Sequence, residues 1–343
     1  MATSPPHRVV VIPGEGIGPE VVAAAVRVLE ATGVGFEWDF HEAGAEQAKR
    51  SGRPLPPGVV EAIARCGIAL KGPTATPIGD GFRSVNLLLR EQLDLHTSIR
   101  PCRAYPGVPT RFPEVDLVVV RMNHEDLYAG IELALGEEAG VSIKPLTAAA
   151  ARRTAQVAFD YATAHGRARV TAVHKATVMR ATDGLFLEAV REVGREHPDV
   201  ELDDRLVDTL CHDLVVRPES YDVVVMPVLY GDIVSDLGAG LVGGLGMAPS
   251  LNVGARCAMF EAVHGTAPRH AGRGRANPIA LMLSGAMLLR HIGEREAGDR
   301  LEAAIAAVVR EGRVVTYDLK PERSPEGAAR TEEVGEAVAA GLR

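Results

Sequence analysis

Several features that the sequence lacks, or has little of, narrow the classes to which it can belong. Aromatic residues make up only 4% of the 343 residues, so stacking platforms for nucleic-acid bases are not expected. The formal net charge is −8, which argues against a nucleic-acid surface as the main partner. The four cysteines, Cys66, Cys102, Cys211 and Cys257, form no CxxC pair, so neither a zinc site nor a disulfide framework is indicated.

Long hydrophobic runs are also missing. Apolar stretches such as Val9–Pro13 are too short to span a bilayer, and Met1–Arg8 lacks the apolar segment of a secretory signal. We therefore expect a cytoplasmic protein with no membrane partner. With 46% hydrophobic residues, a chain of 343 residues predicts about two packed domains.

Short β-branched segments alternate with segments of helical spacing along the chain. The run Arg8–Ile12 predicts a buried strand, and Pro19–Ala31 predicts a helix with proline in its first turn. Further strands are predicted at 67–70, 117–120, 170–173 and 221–226, and further helices at 59–64, 147–164, 185–196 and 279–291. This alternation is typical of an α/β protein.

The turn Gly14–Gly18 lies between the first strand and the first helix, where a dinucleotide-binding fingerprint would lie. Its third glycine comes one position early, and Pro19 stands in the expected place. We also find no clear acid at the end of a strand about twenty residues later. A tight turn that leads into a helix is the plainer interpretation, and a standard Rossmann site is disfavoured.

Polar and basic residues cluster around a predicted junction between a loop and a helix. Ser84 and Asn86 could bind an anion at the helix N-terminus, and Arg90, Arg100 and Arg121 suit bidentate binding of carboxylates. In an acidic chain this combination predicts a pocket for a polycarboxylate. Surface arginines in ion pairs are the alternative.

Two aspartates follow the strand predicted at 221–226. Asp232 and Asp236 are four residues apart, so they share one face of a helix, and they suit a hard cation such as Mg²⁺ or Mn²⁺. Asp208 is a possible third ligand that spacing alone does not select. An acidic pair on a solvated helix face is the alternative.

Lys175, just past a strand, and Tyr128 are candidate general acids or bases. Neighbouring cations could favour the deprotonated form of either side chain, as could burial for the lysine. A structural or surface role is the alternative for each.

Several long motifs follow one another along the chain. They are Ile12–Glu20, Lys71–Pro77, Arg83–Asn86, Leu229–Asp236, His264–Pro268 and Val315–Asp318. Through them the chain resembles the β-decarboxylating dehydrogenases, the isocitrate and isopropylmalate dehydrogenase family, over nearly its whole length.

The resemblance implies a two-domain α/β fold that is not a standard Rossmann domain. It implies a discontinuous large, cofactor-binding domain at 1–95 and 244–343, and a small domain at 96–243 that carries metal and substrate residues and the dimer interface. It also implies a homodimer with shared active sites. The implied reaction is oxidation of a 3-carboxylated 2-hydroxy acid, followed by loss of that carboxylate as carbon dioxide.

The resemblance also implies residue roles. The substrate carboxylates would be held by Arg90, Arg100 and Arg121, with Ser84 and Asn86 facing the group on C3. Tyr128 would protonate the enolate, and Lys175 from the other subunit would assist proton removal. Metal ligands would be Asp232 and Asp236, with Asp208 from the other subunit. The implied cofactor-binding residues are Thr76, His264, Gly265, Thr266, Ala267, Arg269, His270, Asn277 and Tyr317.

Arg269-His270 stands where family members that use NAD commonly have aspartate and members that use NADP have Lys-Tyr. Because a guanidinium pairs with a 2′-phosphate, and Tyr317 matches a tyrosine of the NADP type, we predict NADP, with NAD as the alternative. An arginine expected four residues after Tyr317 is Pro321 here, and Lys320 or Arg323 could substitute.

Ser84 and Asn86 resemble the isocitrate type and favour a polar, anionic group on C3. The chain departs from that type at Met122 and His124, beside Arg121, at His96-Thr97 and at Val228. A specialised enzyme acting on homoisocitrate, isopropylmalate, tartrate or a phosphonate analogue is therefore a rival interpretation. A non-catalytic regulatory subunit is a further rival, disfavoured because the candidate acid, base and metal ligands are all present.

Overall fold

The computed structural model describes residues 5–76 and 82–343, which form an α/β protein as predicted. The strands are β1 (His7–Ile12), β2 (Phe36–Phe40), β3 (Ile68–Lys71), β4 (Thr97–Arg103), β5 (Asp116–Met122), β6 (Ile131–Ala134), β7 (Gly140–Ile143), β8 (Arg169–His174), β9 (Glu201–Leu206), β10 (Val223–Met226), β11 (Pro249–Val253) and β12 (Ala258–Ala262). The helices are α1 (Gly18–Ala31), α2 (Ala45–Ser51), α3 (Pro57–Cys66), α4 (Val85–Gln92), α5 (Ala148–Ala164), α6 (Asp183–Gly194), α7 (Val207–Val216), α8 (Val228–Leu241), α9 (Ile279–His291), α10 (Arg295–Glu311) and α11 (Thr331–Ala340).

The chain divides into two compact units. The first comprises Met1–Leu95, Ala104–Pro113 and Ala239–Arg343, and the second comprises His96–Arg103 and Glu114–Gly238. The sequence-based boundaries differ in two places, because 104–113 and 239–243 belong by their contacts to the first unit. The first segment follows β4 of the second unit, and the other includes the end of α8, which begins in that unit, so their position in the chain gives no sign of where they pack.

In the first unit the strands lie in the order β2-β1-β3-β12-β11, parallel except for β11. Residues Val9–Ile12 of β1 are fully buried, as their unbroken apolar run predicts. Helix α1 begins with proline in its first turn and packs on α9 and α11. This unit contains α4, with Ser84 as its N-cap residue, and the loop 263–270 after β12.

In the second unit the strands lie in the order β4-β5-β10-β8-β9. Strands β5, β10, β8 and β9 run parallel, and β4 is antiparallel to β5. Strands β6 and β7 form a separate antiparallel hairpin with every residue exposed. Because carboxyl ends of parallel strands share one edge, residues that follow β5, β10, β8 and β9 are gathered there.

Two further expectations were tested by the fold. Strand β2 places Asp39 one residue before its end, so the expectation that no acid lies there was wrong; the aromatic strand Phe36–Phe40 was not recognised from the sequence. The Asp39 carboxylate forms an ion pair with Arg8 at 3.0 Å and lies 3.0 Å from His41 Nε2. Within 5–76 and 82–343, no helix combines the length and apolar character needed to cross a membrane.

Candidate active site

The predicted catalytic residues of the second unit all lie near the carboxyl edge of its parallel strands. Arg121 is the last but one residue of β5, and Asp232 lies on α8, which follows β10. Lys175 directly follows β8, and Asp208 is the second residue of α7, which follows β9. This edge is where α/β proteins build their sites, so the predicted residues occupy a chemically reasonable position.

Asp232 is the centre of a compact cluster in this unit. Its Oδ2 accepts a hydrogen bond of 2.5 Å from the Tyr128 hydroxyl, and its Oδ1 pairs with the guanidinium of Arg121 and, at 3.4 Å, with that of Arg100. The Arg121 guanidinium carbon also lies 5.4 Å from the centre of the Tyr128 ring. The structure therefore brings four of the predicted residues together: two substrate arginines, the proposed acid and one metal ligand.

The carboxyls of Asp232 and Asp236 have opposite electrostatic character. Burial acts to raise the pKa of Asp232, but Arg121, the Tyr128 hydroxyl and Arg100 outweigh it and lower the pKa to about 2. The pKa of Asp236 is raised, first by loss of solvation and then by repulsion from Asp232, against attraction from Arg100. A cation between the two carboxylates would relieve that repulsion.

The donor set fits a hard divalent cation in part. Asp232 and Asp236 supply carboxylate oxygens from one face of α8, as Mg²⁺ and Mn²⁺ require. Among residues 5–76 and 82–343, no group of three or more His, Cys, Asp or Glu side chains is placed to hold a metal. Asp208 is thus not brought to Asp232 and Asp236 within one chain, and further ligands would come from elsewhere.

Asp208 is instead the partner of Lys175. The Lys175 ammonium donates to Asp208 Oδ1, and this contact lowers the pKa of Asp208. Their side chains are 28% and 62% exposed, so both groups are accessible from outside the chain. The two residues that the family resemblance assigns to a second subunit therefore form a pair of their own.

Helix α8 approaches β4 and β5 closely because it carries glycine where it crosses them. A Cβ atom on Gly231 would overlap the Cβ of Arg121, and one on Gly238 would lie 2.7 Å from Cys102 Sγ. Gly231 therefore allows Asp232 to reach the Arg121 guanidinium.

Replacing Gly231 by alanine is expected to destabilise the protein by about 1–3 kcal/mol through overpacking, although alanine usually stabilises a helix. We also expect activity to fall, because Arg121 and Asp232 must separate. Gly240→Ala, on the same helix with open space around the added Cβ, is the matched control and should be neutral or stabilising. Thermal unfolding of both variants tests this; a stable Gly231→Ala protein would contradict the close contact.

In the first unit, the start of α4 presents the predicted polar residues. Ser84 is the N-cap residue, and its side chain makes no capping hydrogen bond. The Asn86 Oδ1 accepts from the Thr74 hydroxyl at 3.2 Å, which leaves the amide NH2 to donate elsewhere. Thr76 is exposed, and Pro77, the last residue of the Lys71–Pro77 motif, lies outside the described residues.

Arg90 takes part in a buried polar network that sequence reasoning missed. Glu261 on β12 accepts from Arg90 at 3.1 Å, from Lys71 Nζ at 2.9 Å and from the Asn252 amide at 2.9 Å. All four side chains are buried, so the paired charges hold Arg90 in a fixed position. Lys71 belongs to a quoted motif, but nothing in the sequence connects it to Glu261, 190 residues later.

The predicted cofactor residues of the first unit gather around the loop that follows β12. The rings of His270 and Tyr317 lie stacked, with centres 5.8 Å apart, and Asn277 donates to Asp318 at 2.9 Å. Burial lowers the pKa of His264, and its Nε2 is buried without a hydrogen-bond partner among the described residues. An orphaned ring nitrogen in this loop fits a polar ligand such as a dinucleotide.

The loop is fastened to the glycine-rich turn near the N-terminus. Ile17 N donates to Thr266 O at 3.0 Å, Glu15 N donates to Pro73 O at 2.7 Å, and a Cβ on Gly16 would overlap Thr266 O. These backbone amides are therefore already used, and the turn is filled by protein rather than open to a pyrophosphate. The glycines serve close packing, which favours the plainer of the two interpretations.

The residues that depart from the isocitrate pattern fall in different environments. Met122 is 1% exposed and lies opposite Thr97, whose hydroxyl is 3.0 Å from that of Thr154 on α5. Since side chains alternate along a strand, Met122 faces α5, on the opposite side of β5 from Arg121. A direct effect of Met122 on the arginine pocket is thus not supported. Lys320, a possible substitute for the arginine expected at Pro321, donates to the carbonyls of Gly312 and Arg313, so its ammonium is already engaged there.

The chain is similar in sequence to known dehydrogenases. Residues 8–338 match the sequence model of the isocitrate/isopropylmalate dehydrogenase family. The chain is 45% identical over 319 residues to the NAD isocitrate dehydrogenase catalytic subunit 5, mitochondrial, of Arabidopsis thaliana, covering 93% of this chain and 85% of that protein. It is 44% identical over 311 residues to the chloroplastic 3-isopropylmalate dehydrogenase of Solanum tuberosum, covering 90% and 87%.

A solved structure is similar over nearly the whole chain. The isocitrate dehydrogenase from Methylococcus capsulatus superposes with a TM-score of 0.94 at 45% identity, covering 98% of this chain and 99% of that one. The large parallel-dominated α/β architecture described above is therefore the architecture of that enzyme.

Proposed function

This chain belongs to the isocitrate/isopropylmalate dehydrogenase family and is a decarboxylating dehydrogenase, and from that premise we propose that it oxidises and decarboxylates isocitrate or a close analogue with NADP. The observation that carries the reaction is the cluster of Arg100, Arg121, Tyr128 and Asp232. It combines cations for carboxylates, an acid and a metal carboxylate in one place.

The chain's own residues would divide the chemistry between them. Arg100 and Arg121 bind and orient the substrate carboxylates, and Lys175 assists removal of the proton from the 2-hydroxyl. After carbon dioxide leaves, Tyr128, whose ring lies beside the Arg121 guanidinium, delivers a proton to C3. When bound, a cation held by Asp232 and Asp236 would polarise the oxygen on C2, and the nicotinamide would accept a hydride from C2.

The preference for isocitrate rests on the start of α4. Ser84 and Asn86 offer a hydroxyl and an amide NH2 at a helix N-terminus, which suits an anionic group on C3 and not an alkyl group. The arrangement supports the isocitrate type over the isopropylmalate type. A phosphonate analogue would also satisfy these donors and is the second candidate.

A substrate panel tests this proposal. We expect kcat/KM for isocitrate to exceed that for isopropylmalate by at least about 100-fold, because a polar site desolvated by an alkyl group loses its hydrogen bonds. Homoisocitrate, tartrate and a phosphonate analogue complete the panel. Efficient turnover of isopropylmalate, or of a phosphonate in place of isocitrate, would contradict the assignment.

The proposed NADP preference rests on Arg269 beside the stacked pair His270 and Tyr317. A guanidinium pairs with a 2′-phosphate, whereas the carboxylate common in NAD enzymes repels it. The relatives named above include an enzyme named for NAD, so cofactor use has to be measured on this chain.

Replacing Arg269 by aspartate is expected to lower kcat/KM for NADP about 10–100-fold while that for NAD changes little, because one charge-assisted contact is lost. Arg273→Ala, an exposed arginine in the neighbouring loop, is the control and should leave both values unchanged. A wild-type enzyme faster with NAD than with NADP would overturn the preference.

We further propose a homodimer whose active sites are shared. Lys175 and Asp208 are paired and accessible. Within the described residues of one chain, Asp208 does not lie with Asp232 and Asp236 in a group that could hold a metal. Large apolar side chains are exposed in the same unit, namely Ile131, Leu133, Leu135, Val141 and Ile143 on or beside the β6–β7 hairpin and Val215, Val216 and Ile233 on α7 and α8. Such a surface suits a second copy of the chain.

Mixing two inactive variants tests the shared site. Tyr128→Phe and Lys175→Met subunits, unfolded together and refolded, should regain about a quarter of wild-type activity, since half of the dimers form with one intact site of two. Each variant refolded alone stays inactive and provides the control. No recovery in a mixture shown to contain mixed dimers would place both residues in one subunit's site.

A further inference from the structure

A lysine that is only 11% exposed lies between two buried carboxylates in the second unit. Lys144 Nζ is 2.5 Å from Asp183 Oδ1 and 3.6 Å from Asp126 Oδ1. Both aspartates are at most 1% exposed, and Tyr230 closes the group with its ring centre 4.7 Å from Lys144 Nζ. We call Asp126, Lys144, Asp183 and Tyr230 the Lys144 cluster. Buried charges are costly unless they are paired, so these groups stay together and hold the backbone segments that are hydrogen-bonded to them.

The Asp126 end of the cluster holds the segment that carries Tyr128. Asp126 accepts from Leu127 N at 2.8 Å and, across the unit, from Leu229 N at the start of α8 at 3.0 Å. Glu125 and Asp126 both have left-handed backbone, with φ of 68° and 54°. Such residues persist only where their surroundings fix them, so Asp126 sets the path of the chain into Tyr128.

The Asp183 end holds the main chain of Lys175. Asp183 Oδ2 accepts from Lys175 N at 2.6 Å and from the Tyr230 hydroxyl at 3.0 Å. Tyr230 lies two residues before Asp232 on α8. One carboxylate thereby joins the Lys175 loop to the helix with the metal ligands.

We propose that the Lys144 cluster is a positioning device that fixes Tyr128, Lys175 and the carboxylates of α8 relative to one another. Its members act through the segments they bind, and Lys144 joins the two ends by bridging Asp126 and Asp183. The inference rests on the proposed function, because it needs those groups to be catalytic, with Tyr128 and the α8 carboxylates in one of the two shared sites and Lys175 in the other. Misplacement of reacting groups by about 1 Å can cost 100-fold in rate, so the loss of Lys144 should be seen mainly in kcat.

The chain offers a matched control for this test. Arg167 bridges Asp116 and Asp222 at 2.6 and 3.1 Å in the same unit. It lies at the opposite ends of the strands, just before β8, with Asp116 at the start of β5 and Asp222 just before β10. Lys144→Met and Arg167→Met therefore both remove a cation between two aspartates, but only the first touches the catalytic segments.

Steady-state kinetics and thermal unfolding of the full chain decide the proposal. Lys144→Met should lower kcat at least about tenfold with KM values within about threefold, and Lys144→Arg should recover most of that loss. Arg167→Met should lower Tm by less, because Arg167 and both of its aspartates are partly exposed, and should leave kcat within about twofold of wild type. A kcat for Lys144→Met within twofold of wild type, or a fall in kcat no larger than that of Arg167→Met, overturns the proposal.

If Lys144→Met does not fold, Tyr230→Phe provides the test, since it removes the hydrogen bond to Asp183 and, besides that, a long contact of 3.9 Å to Met179 Sδ. We expect kcat to fall about three- to tenfold with unchanged KM, and no change in the control Tyr221→Phe, where a hydroxyl donates to Asp213 at 2.7 Å. Unchanged kcat in Tyr230→Phe overturns the proposal. An inactive wild-type protein on every acid of the panel would instead overturn the proposed function, and this inference with it.

Discussion

Tyr128→Phe is expected to lower kcat by about 100–10,000-fold, the usual contribution of a positioned general acid. The hydroxyl that donates to Asp232 at 2.5 Å is the group that would protonate C3, and phenylalanine keeps the ring beside Arg121. Because proton delivery follows hydride transfer, rapid mixing should show a burst of reduced nicotinamide near one per site, followed by slow turnover.

Tyr221→Phe is the matched control for that variant. Tyr221 is a tyrosine of the second unit that likewise donates to an aspartate, Asp213, at 2.7 Å, but it lies at the other end of β10. It should lose about 1 kcal/mol of stability or less and keep wild-type kcat. A Tyr128→Phe enzyme within about threefold of wild type would remove Tyr128 from the proton step.

Asp232→Asn and Asp236→Asn are both expected to abolish activity, but only Asp232→Asn should destabilise the metal-free protein. Asp232 neutralises the fully buried guanidinium of Arg121, so its replacement should cost about 2 kcal/mol, discounted because Asp232 is partly exposed. The negative charge of Asp236 is disfavoured by loss of solvation and by repulsion from Asp232. Replacing Asp236 should therefore leave the free energy of unfolding unchanged or raise it slightly.

Thermal unfolding with and without Mn²⁺ measures both effects. Mn²⁺ should raise the Tm of wild type and of neither variant, because a cation stabilises only the state that binds it. The pKa of Asp232 is lowered, so its stabilisation is present above about pH 4 and is lost as the pH falls toward 2. The difference between wild type and Asp232→Asn should shrink over that range. Equal destabilisation by both substitutions would contradict the opposed roles.

Local patterns predicted much of the fold and of the site's framework. The run Arg8–Ile12 became β1, Ser84 lies at the helix N-cap expected from its position, and Asp232 and Asp236 share α8 as their spacing required. The family resemblance and the α/β class are confirmed by the match over residues 8–338. These features depend on residues close together in the chain, which is why the sequence reveals them.

What the sequence did not reveal depends on tertiary contact. Lys144 meets Asp183, 39 residues away, and Arg90 meets Glu261, 171 residues away, and neither pair has a local signal. Met122 was grouped with Arg121 because they are adjacent, but strand alternation places them on opposite faces. The hairpin β6–β7 was missed because each strand has only four residues, and the alternation in Ile131-Glu132-Leu133 and in Val141-Ser142-Ile143 is too short to predict a strand.

The most direct test of oxidative decarboxylation is product stoichiometry in one reaction mixture. With isocitrate, NADP and Mn²⁺, the account predicts that one carbon dioxide and one 2-oxo acid form for each nicotinamide reduced, and that chelation of the metal stops all three together. Reduced nicotinamide that accumulates without carbon dioxide, or turnover that continues after chelation, would contradict it.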